Sequence, residues 1–339
     1  MAHSHFPMTK VRIAILGGGA WGTALACALA SRREVTLWVR SEQHEQTLRQ
    51  QRANERYLPG IALPPSLGLT SDLQQAVRFA AGGLVAVATP TAGLRPTLQA
   101  LAAIADLPPV LWLCKGFERD SRMLPHQIIA EELPGHPSGP LSGPSFADEV
   151  ARGLPTALTV AGSTDFCALV TRALHGEALR IYSSQDVIGV EVGGGVKNVM
   201  AIGTGIADAL GLGNNARAAL ITRGLAEITR LGVALGGRAG TFTGLTGLGD
   251  LILTCTGDLS RNRRIGLALG RGVDLPRALA ELGHVAEGVW SAPATAARAH
   301  AAGVDMPITE AVCAVLDGRL NPPAALERLL AREPRSEIT

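Results

Sequence analysis

Gly17-Gly18-Gly19-Ala20-Trp21-Gly22 has the spacing G-x-G-x-x-G, whose chemistry is the binding of a pyrophosphate by backbone amides. In a chain with 40 glycines the pattern alone carries little weight. Its context carries more: the apolar run Val11–Leu16 stops at the first glycine, and an Ala/Leu-rich helical run starts by Thr23. Gly17 would permit the tight turn, Gly19 the approach of the pyrophosphate, and Gly22 close packing of helix on strand. Free N–H groups at the helix start, Ala20 and Trp21 among them, together with the helix dipole would favour the anion. A dinucleotide is therefore expected. At the end of the next strand an NAD site usually places Asp or Glu to hold the ribose 2′-OH, but here Val35–Val39 runs into Arg40 and Ser41. A guanidinium would attract a 2′-phosphate and could stack on adenine, so NADPH is expected alongside or ahead of NADH.

Other residues could act on a small anionic substrate. Lys115 directly follows the apolar run Val110–Leu113, which places it at the carboxyl end of a strand, where open α/β sheets bind ligands. Ser260-Arg261-Asn262-Arg263-Arg264 reads as a helix start, with Ser260 as N-cap, Arg261 able to grip phosphate oxygens in a fork, and Asn262 able to donate an amide hydrogen bond. Asp250, in the Gly-rich turn Gly247-Leu248-Gly249-Asp250, could cap a helix starting near Leu251. Lys197 follows Gly193-Gly194-Gly195, read as the start of a helix that can approach its neighbours closely. A lone lysine on an apolar helix is most often a surface residue with a buried stem, so periodicity alone does not mark Lys197 as functional.

The elements that must position these groups fall into two halves. Val11–Leu16, Val35–Val39, Leu84–Ala88, Val110–Leu113, Thr156–Val160 and Leu179–Tyr182 read as strands, the first four alternating with helical runs. Strands that are apolar throughout predict a doubly wound α/β domain around a parallel sheet, residues 1–190. Beyond it, 192–210, 216–231, 263–269, 275–282 and 292–302 read as helices, which predicts an all-α domain over 191–339.

Composition narrows the alternatives. With 31 Lys+Arg against 29 Asp+Glu and 4% aromatic residues, the chain lacks the basic excess and stacking platforms of a nucleic-acid binder. No apolar stretch reaches the roughly 18–20 residues needed to span a bilayer, and MAHSHFPMTK lacks the pattern of a secretory signal. Five dispersed cysteines without a C-x-x-C pair, and eight scattered histidines, suggest reduced thiols, a cytoplasmic setting and no metal. Apolar faces on the helical half could support a homodimer.

GGGAWGTALA (17–26), CKGFE (114–118), SGPSFADEV (142–150), GVKNVMAIGTGI (195–206), GLTGLGDLILTCTGDLSRNRR (244–264) and VAEG (285–288) occur in an order that resembles the bacterial-type NAD(P)-dependent glycerol-3-phosphate dehydrogenases. The likeness runs from about Val11 to Leu330, with a departure at Ala88-Thr89-Pro90-Thr91, where the family has a Val-Pro-Ser-like turn. It implies reduction of dihydroxyacetone phosphate to sn-glycerol 3-phosphate for phospholipid synthesis. It further implies Lys197 as general acid in reduction and base in oxidation, Lys115 as the group polarising the substrate oxygen, and Asp250 as the carboxylate orienting Lys197. Gly143, Ser145 and Ala147 match positions that line substrate and cofactor, and Val285 and Glu287 match positions near the cofactor's adenosine and nicotinamide ribose. Asn198 and Asn214 are expected to support structure. Rival readings are a sibling two-domain dehydrogenase, such as a 6-phosphogluconate, β-hydroxyacid or ketopantoate type, or a cofactor sensor without chemistry. Neither requires GVKNV, GLGDL and SRNRR together.

Overall fold

The computed structural model describes residues 11–283 and 286–331. Among the described residues ten strands precede residue 185: β1 (Arg12–Leu16), β2 (Glu34–Trp38), β3 (Ala53–Asn54), β4 (Leu58–Ala62), β5 (Gly68–Thr70), β6 (Leu84–Val87), β7 (Val110–Trp112), β8 (Ser138–Ser142), β9 (Thr156–Ala161) and β10 (Leu179–Ser184). Eight of them form one sheet in the order β10-β9-β8-β7-β6-β1-β2-β5, and β3 and β4 make a separate hairpin. The central strands bury both faces. Ile13 and Ile15 of β1 pack with Leu25, Leu29 and Leu37 on one side, while Ala14 and Leu16 pack with Val87, Leu94 and Trp112 on the other. A strand buried on both faces needs apolar residues at every position, which is why periodicity two is absent from β1 and β6.

The sheet departs from the expected all-parallel arrangement at one place, where β8 and β9 run antiparallel. The connection from Gly143 to Pro155 contains only the five-residue helix Ala147–Ala151 and does not carry the chain back along the sheet, so β9 returns beside β8 in the opposite sense. β8 itself, Ser-Gly-Pro-Leu-Ser, has no strand-like composition. Its Gly139 is required by packing, since a Cβ there would stand 1.9 Å from the Ala161 carbonyl oxygen.

After Ser184 the described residues form helices and turns only. The central helix runs Val187–Ala209, with Asp186 as N-cap accepting from the Gly189 N–H at 2.9 Å. It therefore starts earlier than the expected Val192, because its glycines hide the helical periodicity. Around it pack the helices Gly213–Ala234, Asp250–Thr256, Arg261–Gly270 and Glu287–Ala301. Close packing depends on paired glycines: a Cβ on Gly205 would stand 2.2 Å from the Arg263 carbonyl oxygen, and one on Gly266 2.1 Å from that of Ile202. No described helix is long and apolar enough to cross a membrane.

Candidate active site

The glycine turn between β1 and the helix Ala20–Ala30 is built by contacts that leave one position free. Gly17 has φ +130 and donates its N–H to the Trp38 carbonyl at 3.0 Å. A Cβ would stand 2.8 Å from the Ala88 carbonyl oxygen at Gly17, 2.4 Å from Val39 Cγ1 at Gly18, and 2.0 Å from the Gly17 carbonyl oxygen at Gly22. At Gly19, by contrast, no atom of the described residues lies within 4 Å of such a Cβ. Gly19 is the N-cap of a helix that starts at Ala20, and no side chain caps it. The N–H groups of the first turn thus open on unfilled space in front of Gly19, which fits the pyrophosphate of a dinucleotide.

Asn54 holds this turn from the β3–β4 hairpin, donating to the Gly18 carbonyl at 2.9 Å and to Thr23 Oγ1 at 2.7 Å. Arg40 follows β2 and is exposed, with no direct ion pair among the described residues. Trp21 donates Nε1 to the carbonyl and the hydroxyl oxygen of Ser145, both at 3.3 Å. That contact brings Gly143, Ser145 and Ala147, which begins the helix Ala147–Ala151, beside the dinucleotide turn.

The two lysines meet on one carboxylate. Lys115 Nζ is 2.7 Å from Asp250 Oδ2 and 3.4 Å from the Gly143 carbonyl oxygen, and Lys197 Nζ bonds the other oxygen, Oδ1. Asp250 is 1% exposed. Burial is the main cause that lowers Lys197 from 10.5 to about 8, with the Lys115 charge adding to it and Asp250 opposing it. That shift corresponds to roughly 3 kcal/mol against the ammonium form, so desolvation outweighs the ion pair.

Three local devices produce the arrangement. The Thr91 hydroxyl donates to the Lys115 carbonyl at 3.0 Å and fixes the loop after β7. Gly193, Gly194 and Gly195 lie inside the Val187–Ala209 helix rather than at its start, so Lys197 sits in the helix interior and not one turn from its end. A π-helical turn, Leu245–Gly249, delivers Asp250, and the Thr246 hydroxyl ties that turn to the Val190 carbonyl at 2.9 Å. Asp250 does not cap a helix: the N-cap of Asp250–Thr256 is Gly249, and the carboxylate is given to the lysines.

The SRNRR segment opens the helix Arg261–Gly270, with Ser260 Oγ accepting from the Arg263 N–H at 3.2 Å. Arg263 is committed to Asp208 and Asp258, whereas Arg261 is exposed without a direct ion pair among the described residues. Asn262 is buried, donating to Asn198 Oδ1 at 2.9 Å and accepting the Gly288 N–H at 2.9 Å. It therefore ties the Arg261 turn to the residue next to Lys197 and to the turn of Glu287. Burial raises the Glu287 carboxyl, and Arg261, Lys115 and Lys197 all act in the opposite direction, so this carboxylate lies within electrostatic reach of all three cations. Val285 lies outside the described residues. Asn214 accepts from Arg217 at an exposed helix start.

Nothing in the sequence marks Asn54, Ser142 or Thr246 as functional, and Thr91 shows only as part of a departure from the family's turn. Ser142 Oγ is buried without a hydrogen-bond partner among the described residues, 2.4 Å from where a Gly194 Cβ would stand. All five cysteines are free and buried, and burial pushes Cys255 up to about 12, which makes it an inert thiol. Among the described residues no group of His, Cys, Asp or Glu could hold a metal ion.

Residues 12–168 match the family model of the NAD-dependent glycerol-3-phosphate dehydrogenase N-terminus, and residues 186–327 that of the C-terminus. The glycerol-3-phosphate dehydrogenase [NAD(P)+] of Methylibium petroleiphilum is 58% identical over 331 residues, 96% of this chain and 98% of the relative. That of Nitrosospira multiformis is 57% identical over 97% of this chain and 100% of its own length. The crystal structure of glycerol-3-phosphate dehydrogenase from Coxiella burnetii superposes with a TM-score of 0.91 at 41% identity, covering 95% of this chain and 99% of that one. Two family models that together span both halves of the fold, and full-length relatives at this identity, place the chain in the NAD-dependent glycerol-3-phosphate dehydrogenase family.

Proposed function

We propose that Lys197, Lys115, Asp250 and Arg261 carry out the reversible, NAD(P)-dependent reduction of dihydroxyacetone phosphate to sn-glycerol 3-phosphate. The observation that carries the assignment is the sharing of the Asp250 carboxylate by two ammonium groups from opposite halves of the fold. The nicotinamide, when bound, supplies the hydride that reaches the C2 carbonyl carbon. As the C=O π bond opens, its electron pair moves to oxygen, and Lys197 gives that oxygen its proton. Lys115 donates a hydrogen bond to the same oxygen and stabilises the charge developing there. In the oxidative direction neutral Lys197 takes the hydroxyl proton. A value of about 8 keeps both forms of Lys197 accessible near neutral pH. Asp250 holds both ammonium groups in one orientation.

Arg261 and the free N–H groups at the start of its helix would take the phosphate, with the Ser260 O–H as a further donor. Asn262 fixes that turn through Asn198 and Gly288, and a direct bond to phosphate would use its second amide N–H. Gly143, Ser145 and Ala147 would line substrate and cofactor, and Glu287 would lie near the cofactor's ribose. Gly17, Gly19, Ala20, Trp21 and Gly22 would hold the dinucleotide, and the unpaired Arg40 supports a preference for NADPH. The proposal divides the chain near residue 190, places it in the cytoplasm, and includes a homodimer. The free buried cysteines support the compartment, and exposed Val233, Ile252 and Leu259 on the helical half support the dimer.

Lys197→Ala should lower turnover with dihydroxyacetone phosphate by about three orders of magnitude while the NADPH dissociation constant stays within about twofold. Turnover close to that of the unmodified enzyme would refute the assignment.

A further inference from the structure

Glu191 is a buried carboxylate that the reaction above does not use. Its side chain is 2% exposed, on the same helix as Lys197 and six residues before it. Oε1 accepts from Trp112 Nε1 at 3.0 Å and from the His126 backbone N–H at 2.8 Å, and Oε2 lies 2.5 Å from His126 Nδ1. Trp112 is the last residue of β7, and His126 lies in the first turn of the helix Pro125–Glu132. These two residues bracket the loop that carries Lys115. Both ends of that loop are therefore tied to one carboxylate on the Lys197 helix.

Trp112 and His126 also border an open cavity of ≈ 480 Å³ that reaches the start of the same helix at Val187 and Ile188. A buried carboxylate is a costly way to join a strand to a helix, and an apolar contact of the same volume serves stability as well or better. What the carboxylate adds is direction: hydrogen bonds set a distance and an orientation that an apolar contact does not. Burial pushes the Glu191 carboxyl up, and His126 is the main opposing influence.

We propose that Glu191 is a positioning residue that sets the separation of the Lys115 and Lys197 ammonium groups by clamping both ends of the Lys115 loop to the Lys197 helix. The inference rests on the roles given above to the two lysines. Turnover retained by Lys197→Ala would remove those roles, whereas the clamp can fail while they stand.

The test compares Glu191→Leu, Trp112→Phe and Glu191→Gln, with kcat normalised to sites that bind NADPH. Glu191→Leu should lower kcat about 30-fold, in line with a displacement of under an ångström at the reacting groups. The KM for NADPH should stay within about twofold, because the glycine turn is untouched. As Lys115 moves away from Lys197, the high-pH limb of the reduction rate should move upward. Trp112→Phe removes the indole N–H together with the five-membered half of the ring and should show the same pattern at about fivefold; if Glu191→Leu does not fold, the shift of the pH limb in this variant, which lost packing alone would not produce, decides the question. Glu191→Gln keeps an acceptor oxygen for Trp112 and the His126 N–H, and should recover most of the loss. A kcat per NADPH-binding site within twofold of the unmodified enzyme, with an unmoved pH limb in the folded Leu and Phe variants, would reduce Glu191 to a structural pin and overturn the proposal.

Discussion

Two clusters of glycine, 17–22 and 193–195, do opposite work with the same residue. At 193–195 every missing side chain is replaced by protein. A Cβ on Gly193 would stand 2.8 Å from the Thr246 carbonyl oxygen, one on Gly194 2.4 Å from Ser142 Oγ, and one on Gly195 2.9 Å from both Cα and N of Gly116. These contacts join the Lys197 helix to the π-helical turn, to β8 and to the Lys115 loop, which are the segments that assemble the lysine–aspartate cluster. In the dinucleotide turn Gly17, Gly18 and Gly22 are also filled by neighbours, but Gly19 faces open space. Glycine thus serves protein against protein in one cluster, and at Gly19 it leaves the space in which the proposed dinucleotide would lie.

Adding a single methyl group to each cluster tests that distinction. The largest effect is expected for Gly195→Ala, because the obstacle is Gly116 backbone, which cannot turn aside. It should drive the Lys115 loop from the Lys197 helix and lower kcat on the order of 100-fold, with the NADPH dissociation constant little changed in a fluorescence titration. Gly19→Ala should do the reverse. Its melting temperature should match that of the unmodified protein, since no described atom lies in the way, while NADPH binding weakens about 30-fold through crowding of the pyrophosphate, roughly 2 kcal/mol. A lowered melting temperature with unchanged affinity would show that Gly19 serves the fold. The smallest effect is expected beside the same turn: Arg40→Asp should raise the KM for NADPH about tenfold and leave that for NADH within about twofold. Equal effects on the two cofactors would remove Arg40 from 2′-phosphate recognition.

The same contrast explains what could be read from the sequence. The glycine turn is local, with strand, glycines and helix consecutive, so spacing and context point to Gly17, Gly19 and Gly22. β1, β2, β6 and β7 were equally legible, because burial on both faces demands continuous apolar runs. β8 was not, since Gly139 and Pro140 break the strand composition and its register comes from neighbours. Lys197 and Asp250 are 53 positions apart, and Lys115 and Asp250 are 135 apart. No periodicity links such positions, and only the family resemblance brought them together. Glu191, with partners 65 and 79 positions away, and Asn54, in a hairpin with no strand signal, were invisible for the same reason.

Lys197 can serve both directions of the proposed reaction only if its buried ammonium is unstable enough to surrender its proton. The pH dependence of single-turnover hydride transfer, measured in both directions, tests this most directly. Reduction uses the ammonium form, so its rate should hold below about pH 8 and fall as pH rises through that value, while oxidation uses the amine and should rise through the same value. A shared inflection near 8 with opposite slopes is the predicted result. An inflection left near 10.5, the ordinary lysine value, or one that persists in Lys197→Ala, would contradict it.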